Sequence, residues 1–132
     1  MKTTTIWKTG QAFDSSFNNA KIEVDGKAGF SPKALLLSGL AACSGIDVVE
    51  VLEKMRVPFA DLKIEVEADQ TDEHPRVFKD IHIMYIIKTE EENRDKVKKA
   101  IELSLEKYCG VSAMLKKNSK IRYTITIQYE SE

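Results

Sequence analysis

Residues 31–55 limit what this chain can become more than any other stretch, because they read as a helix whose first half has no polar stripe. Ser31 is suited to cap the helix and Pro32 to open it, since a first helical position needs no N–H donor. From 34 to 42 the residues are apolar nearly all round, the mark of a buried helix rather than a surface one. With a rise of ~1.5 Å per residue it is about 36 Å long, enough to cross a small domain. Ser38, Gly39, Ala41, Ala42, Ser44 and Gly45 give it a slim waist. Each internal glycine costs about 1 kcal/mol relative to alanine, so a close neighbour is expected there. That neighbour would be another helix, or the same helix of a second subunit.

The remaining pattern supplies mostly strands. Thr3, Thr5 and Trp7 alternate, as do residues 21–25 before the turn pair Asp25-Gly26. Residues 62–68 alternate strictly, and after a polar loop over 69–75 a strand over 78–87 places Ile81, Ile83, Tyr85 and Ile87 on one face. These two strands are expected to pair as a hairpin. Thr89 and Glu92 form a capping-box signature for a helix that would bury Val97, Ile101, Leu105 and Tyr108. A break at Cys109-Gly110 precedes a short helix over 111–117, and residues 121–129 close the chain as a strand. No repeat or linker interrupts the 132 residues, so one α+β domain over 1–132 is expected.

Composition narrows the function classes. With 42% apolar residues, the chain can build a core without disulfide staples. Its 20 Lys and Arg balance 21 Asp and Glu, and no basic stripe carries interleaved aromatics, so no nucleic-acid partner is expected. The start lacks an apolar signal core and no stretch is read as a membrane span, which points to a cytoplasmic protein without a membrane partner. The acidic run 90–92 is read as a solvated first helical turn.

The chain's two cysteines, Cys43 and Cys109, lie far apart in sequence, each at a helical segment that packing should draw inward. In a reducing compartment such a pair is catalytic, redox-sensing or simply buried. A reactive cysteine must ionise, yet an apolar helix raises the pKa of Cys43, and Asp47, four residues on, would oppose thiolate formation. Cys109 has the better local setting, because the N–H groups of the following short helix favour negative charge. Free cysteine also serves often as a small buried hydrophobe, a role open to both residues. His74 falls in a polar loop and His82 on the strand face opposite Ile81 and Ile83, so both read as bystanders. Two scattered cysteines and two scattered histidines do not make a zinc site, and no cofactor is expected.

The run Pro-Lys-Ala-Leu-Leu-Leu-Ser-Gly-Leu-Ala-Ala-Cys over 32–43, then Pro75-Arg76-Val77-Phe78, then Glu106-Lys107-Tyr108-Cys109-Gly110-Val111-Ser112, resembles the OsmC/Ohr family of osmotically inducible and organic hydroperoxide resistance proteins. The resemblance covers nearly the whole chain. It implies an intertwined homodimer with antiparallel sheets wrapped around long central helices, and a thiol-dependent peroxidase site near the dimer interface. Cys43 would attack an organic hydroperoxide, Cys109 would resolve the product as a disulfide, and a dithiol or lipoylated reductant would restore both. That activity would serve oxidative stress defence.

The chain departs from the characterised peroxidases of that family at the activating pair. They carry Glu after the helix-opening proline and an Arg in the N-terminal region; here Lys33 follows Pro32, and residues 9–20 contain no Arg. The segment 43–49 resembles a less characterised branch. Lys33 and Asp47 are therefore the residues expected to tune the site, with Lys33 as a substitute cation. The competing expectations are a non-enzymatic redox-sensing or small-ligand-binding dimer, and a core-only role for both thiols.

Overall fold

A computed structural model describes residues 1–128, so Tyr129, expected within the last strand, lies outside the described residues. The chain divides into two compact units, Met1–Ser38 and Gly39–Glu132.

The first unit is a three-stranded meander of β1 (Thr4–Thr9), β2 (Ala12–Phe17) and β3 (Ala20–Asp25), paired antiparallel in the order β1-β2-β3. Asn18, at φ 55°, makes the β2–β3 turn in the left-handed conformation that asparagine tolerates. Strand β2 was not anticipated, because its polar centre Asp14-Ser15-Ser16 has little β propensity. It is held by the two turns that flank it. Trp7 is 64% exposed, and Ile6, Phe17 and Ile22 of this sheet are also exposed.

Helix α1 (Pro32–Lys54) begins in this unit and continues into the second. Ser31 caps it as expected: the Ala34 N–H donates to Ser31 Oγ at 3.3 Å. Its buried stripe is Leu40, Ser44, Val48 and Leu52, one residue per turn. The all-round burial expected from 34–42 is not found, since Leu36, one turn before Leu40 on the same stripe, is 50% exposed. Further along, Ile46 on the side opposite that stripe is 61% exposed. By length and composition α1 could cross a bilayer, contrary to the expectation that no stretch would. In this fold Leu40, Val48 and Leu52 of that helix are completely buried.

The second unit holds a mixed sheet in the order β4-β5-β6, with β4 (Asp61–Gln70) antiparallel to β5 (Phe78–Lys88) and β6 (Lys120–Gln128) parallel to β5. The expected β4–β5 hairpin forms, with Ile64 opposite Tyr85 and Val66 opposite Ile83. Ile81, Ile83, Tyr85 and Ile87 are all fully buried on one face. Each such isoleucine contributes about 1.5–3 kcal/mol of burial. The slim waist of α1 meets this sheet rather than another helix at Gly45, where a Cβ would lie 3.0 Å from Ile64 Cδ1.

A parallel pair requires a crossover, and here it is helical. A 3₁₀ turn Glu91–Asn93 leads into α2 (Arg94–Leu103), a π turn Ser104–Tyr108 and α3 (Gly110–Leu115). Val97, Ala100 and Ile101 face inward from α2. The capping box does not form. Thr89 Oγ1 instead donates to the Pro58 carbonyl at 2.7 Å, and Glu90 caps the 3₁₀ turn without a side-chain bond.

Candidate functional site

The two cysteines converge. Cys43 sits half-buried near the middle of α1, and Cys109, 3% exposed, stands between the π turn and α3. Cys43 lies near enough to Cys109 to help raise the pKa of its thiol, and both are free thiols.

Cys109 is held by its own backbone. Its N–H donates to the Ser104 carbonyl at 2.7 Å, the five-residue step of a π turn, and its φ and ψ of −77° and 103° end the helix. Its Sγ then caps α3, accepting from the Ser112 N–H at 3.3 Å. Burial pushes the Cys109 thiol pKa up; the Ser112 N–H works against it, and the neighbouring Cys43 adds to it. The favourable helix start expected at Cys109 exists, but desolvation outweighs it.

The π turn also explains an overturned expectation. Its wider spacing rotates the helix face, so Tyr108, expected on the buried side, is 53% exposed with Lys107 Nζ 5.4 Å from its ring. Cys109 takes the inward place.

Asp47, singled out as a residue opposing ionisation of Cys43, takes part in a buried chain of hydroxyls. Ser104 Oγ is 2.9 Å from Asp47 Oδ2 and 2.9 Å from Ser44 Oγ, and Ser44 Oγ is 2.6 Å from Tyr85 Oη. Each hydroxyl has one proton, and an ionised carboxylate only accepts. Ser104 is thus the donor toward both Ser44 and Asp47 and shares its one proton between them, and in the third bond either Ser44 or Tyr85 donates. Burial pushes the Tyr85 phenol up to about 12, with the Ser44 bond opposing, so Tyr85 keeps its proton. Ser44, Ser104 and Tyr85 escaped sequence reasoning, which took Tyr85 for core. The one available signal was a serine directly after Cys43.

Lys33 lies in the first turn of α1, half-buried. His74 is in the β4–β5 loop, and His82 is on the sheet face opposite Tyr85, with Nε2 3.1 Å from Thr124 Oγ1 and Nδ1 3.8 Å from Glu67 Oε1. Neither joins the thiols. Among the described residues, no three His, Cys, Asp or Glu cluster as metal ligands. A cleft of about 240 Å³ beside the Cys109 cap is lined by Ser112, Leu105, Ile121 and Tyr123, with Glu102, Glu106 and Lys116.

A family model described as OsmC-like protein matches residues 24–124. Protein YhfA of Escherichia coli K12 is 32% identical over 125 residues, covering 92% of this chain and 93% of YhfA. A hypothetical protein from Aquifex aeolicus VF5 has a crystal structure that superposes with a TM-score of 0.89 at 30% identity, covering 98% of this chain and 97% of that one. The organic hydroperoxide resistance protein OhrB of Bacillus subtilis shares the fold with a TM-score of 0.66 at 21% identity, covering 95% of this chain and 96% of OhrB.

Proposed function

This chain belongs to the OsmC-like family, and within that family we propose that it is a thiol-dependent peroxidase acting on organic hydroperoxides in oxidative stress defence. The observation that carries the reading is the meeting of Cys43 and Cys109, distant in sequence, as free thiols in one site. Cys43 is the attacking residue because it is the more exposed of the two. Its thiolate attacks the outer peroxide oxygen; an S–O bond forms, the O–O bond breaks, and the alkoxide takes up a proton as the alcohol. Cys109 then attacks the sulfenic sulfur. The S–S bond forms, the S–O bond breaks, and hydroxide leaves with the Cys109 proton as water. A dithiol or lipoylated reductant restores both thiols by two exchanges and is itself oxidised to a disulfide.

Lys33 stands ten residues before Cys43 on the same helix, about 15 Å away, so it would supply the cation across the homodimer, in place of the family's Arg and Glu, and Asp47 sets a limit on how far the Cys43 thiolate is stabilised. The working form is a homodimer in the cytoplasm. The exposed apolar side chains Leu36, Ile46 and Trp7 are ones a second copy would cover.

The test is stoichiometric oxidation. One equivalent of cumene hydroperoxide yields a Cys43–Cys109 disulfide by mass spectrometry, and in Cys109→Ser it yields a Cys43 sulfenic acid that dimedone traps. Oxidation at neither cysteine would refute the reading.

The cleft beside the Cys109 cap favours a second reading, a non-enzymatic dimer that senses oxidants or binds a small ligand. At about 240 Å³ it falls short of the roughly 300–1,000 Å³ of drug-sized sites, so the ligand would be small. A sensor reacts about once per subunit, whereas a peroxidase with a dithiol turns over many times.

A further inference from the structure

We propose that Ser104, with Ser44 and Asp47, is a positioning residue that sets how readily the Cys43–Cys109 disulfide forms. The inference rests on the reading above that these two cysteines pair. It does not require that a peroxide be the oxidant.

Ser104 is joined to both thiol-bearing segments. Its carbonyl accepts the Cys109 N–H at 2.7 Å, which fixes the backbone of one cysteine. Its hydroxyl is 2.9 Å from Ser44 Oγ, on the residue after Cys43, and 2.9 Å from Asp47 Oδ2, one turn further along the same helix. One side chain thus ties the π turn to α1 at the place where the thiols meet.

Ser44 and Ser104 are completely buried, so these bonds run in a weakly screening interior and hold firmly. A hydroxyl with both partners satisfied at such a site costs little, whereas an unpartnered one is expensive. A disulfide forms only when the two Cα atoms come within about 4.4–6.8 Å with the Cβ vectors converging. A π turn free to fray would bring Cys109 into that geometry for only part of the time. The tie removes the entropy that would otherwise be lost on closing the bond.

Tyr85 ends the same chain but stands apart from the tie. It anchors Ser44 to β5 and does not link the two thiol segments. The geometry therefore separates a positioning role from general support of the core.

The experiment equilibrates the protein with glutathione buffers and measures the oxidised fraction by alkylation and mass spectrometry. In the reaction, both protein S–H bonds break, the protein S–S bond forms, and oxidised glutathione is reduced to two thiols. Ser104→Ala is expected to lower the equilibrium constant at least tenfold, about 30 mV for a two-electron couple. Ser104→Thr, which keeps a hydroxyl, recovers most of that loss. Ser44→Ala moves the constant the same way by less, because Asp47 still holds Ser104. Tyr85→Phe leaves it within about twofold although it weakens the fold. Urea unfolding of each reduced variant gives the stability against which these shifts are compared.

A Ser104→Ala constant equal to wild type would overturn the proposal. So would shifts that follow each variant's loss of stability, Tyr85→Phe included, or a wild type that forms no disulfide under oxidising glutathione. The peroxidase reading fails separately: a protein that forms the disulfide with glutathione but does not turn over hydroperoxide refutes that reading and not this one.

Discussion

The Ser112 N–H donates to Cys109 Sγ at 3.3 Å, so the thiol proposed to resolve the Cys43 sulfenic acid is also the N-cap of α3. Forming a disulfide withdraws part of the electron density and changes the direction in which that sulfur accepts. The short helix is thereby coupled to the redox state of the site. Oxidation should loosen its first turn, seen as faster amide hydrogen exchange at Ser112 and Ala113; unchanged exchange would separate the cap from the chemistry.

The cap also orders two substitutions that would otherwise look alike. Cys109→Ser retains a side-chain acceptor for Ser112, and Cys109→Ala has none. The alanine variant should be less stable than the serine variant by about 1 kcal/mol, the usual worth of an N-cap. Urea denaturation decides it, and equal midpoints would show that the sulfur contributes no cap.

Much of this architecture follows from local pattern. The start of α1 is readable because Ser31-Pro32 is a capping signal whose bond forms within one turn. The inner face of β5 is readable because Ile81 to Ile87 alternate in a strand buried on that side. Two expectations failed where a distant partner or a change of helical period intervened. Thr89 could not cap the next helix because its hydroxyl bonds Pro58, and Tyr108 turned outward because residues 104–108 wind as a π turn. The convergence of Cys43 and Cys109 was foreseeable as a tendency of two inward-facing segments. The chain from Asp47 to Tyr85 was not, because it joins α1, the π turn and β5, and no spacing in the sequence encodes that meeting.

Thiol accessibility gives the next prediction. Cys43 is half-buried and Cys109 only 3% exposed, so iodoacetamide should label Cys43 first in the native protein. In Cys43→Ser, burial still holds the Cys109 pKa up, and its labelling should have a pH midpoint above the ~8.5 of a free cysteine. Equal labelling of both residues at neutral pH would contradict the burial described for Cys109. Resistance of both would support a core-only role.

Lys33 is tested on the same reaction. With Cys109→Ser as background, Lys33→Met should slow the labelling of Cys43 at neutral pH, since removing a cation disfavours a thiolate. An unchanged rate would exclude Lys33 from the site.

Tyr85 carries a pH signature. Its folded pKa is raised from 10.0 to about 12 by burial, so the neutral phenol is favoured in the native state. The resulting stabilisation is complete below about pH 10 and is lost as pH rises toward about 12. Wild type should therefore lose stability relative to Tyr85→Phe across that window. A constant difference between the two proteins from pH 9 to 12 would contradict the assignment.

Steady-state consumption of cumene hydroperoxide and of hydrogen peroxide with a dithiol reductant decides whether the two thiols form a catalytic pair. A catalytic pair gives many turnovers per subunit, preference for the organic peroxide, and loss of rapid turnover in Cys43→Ser. Wild type turning over no faster than free thiol would contradict it.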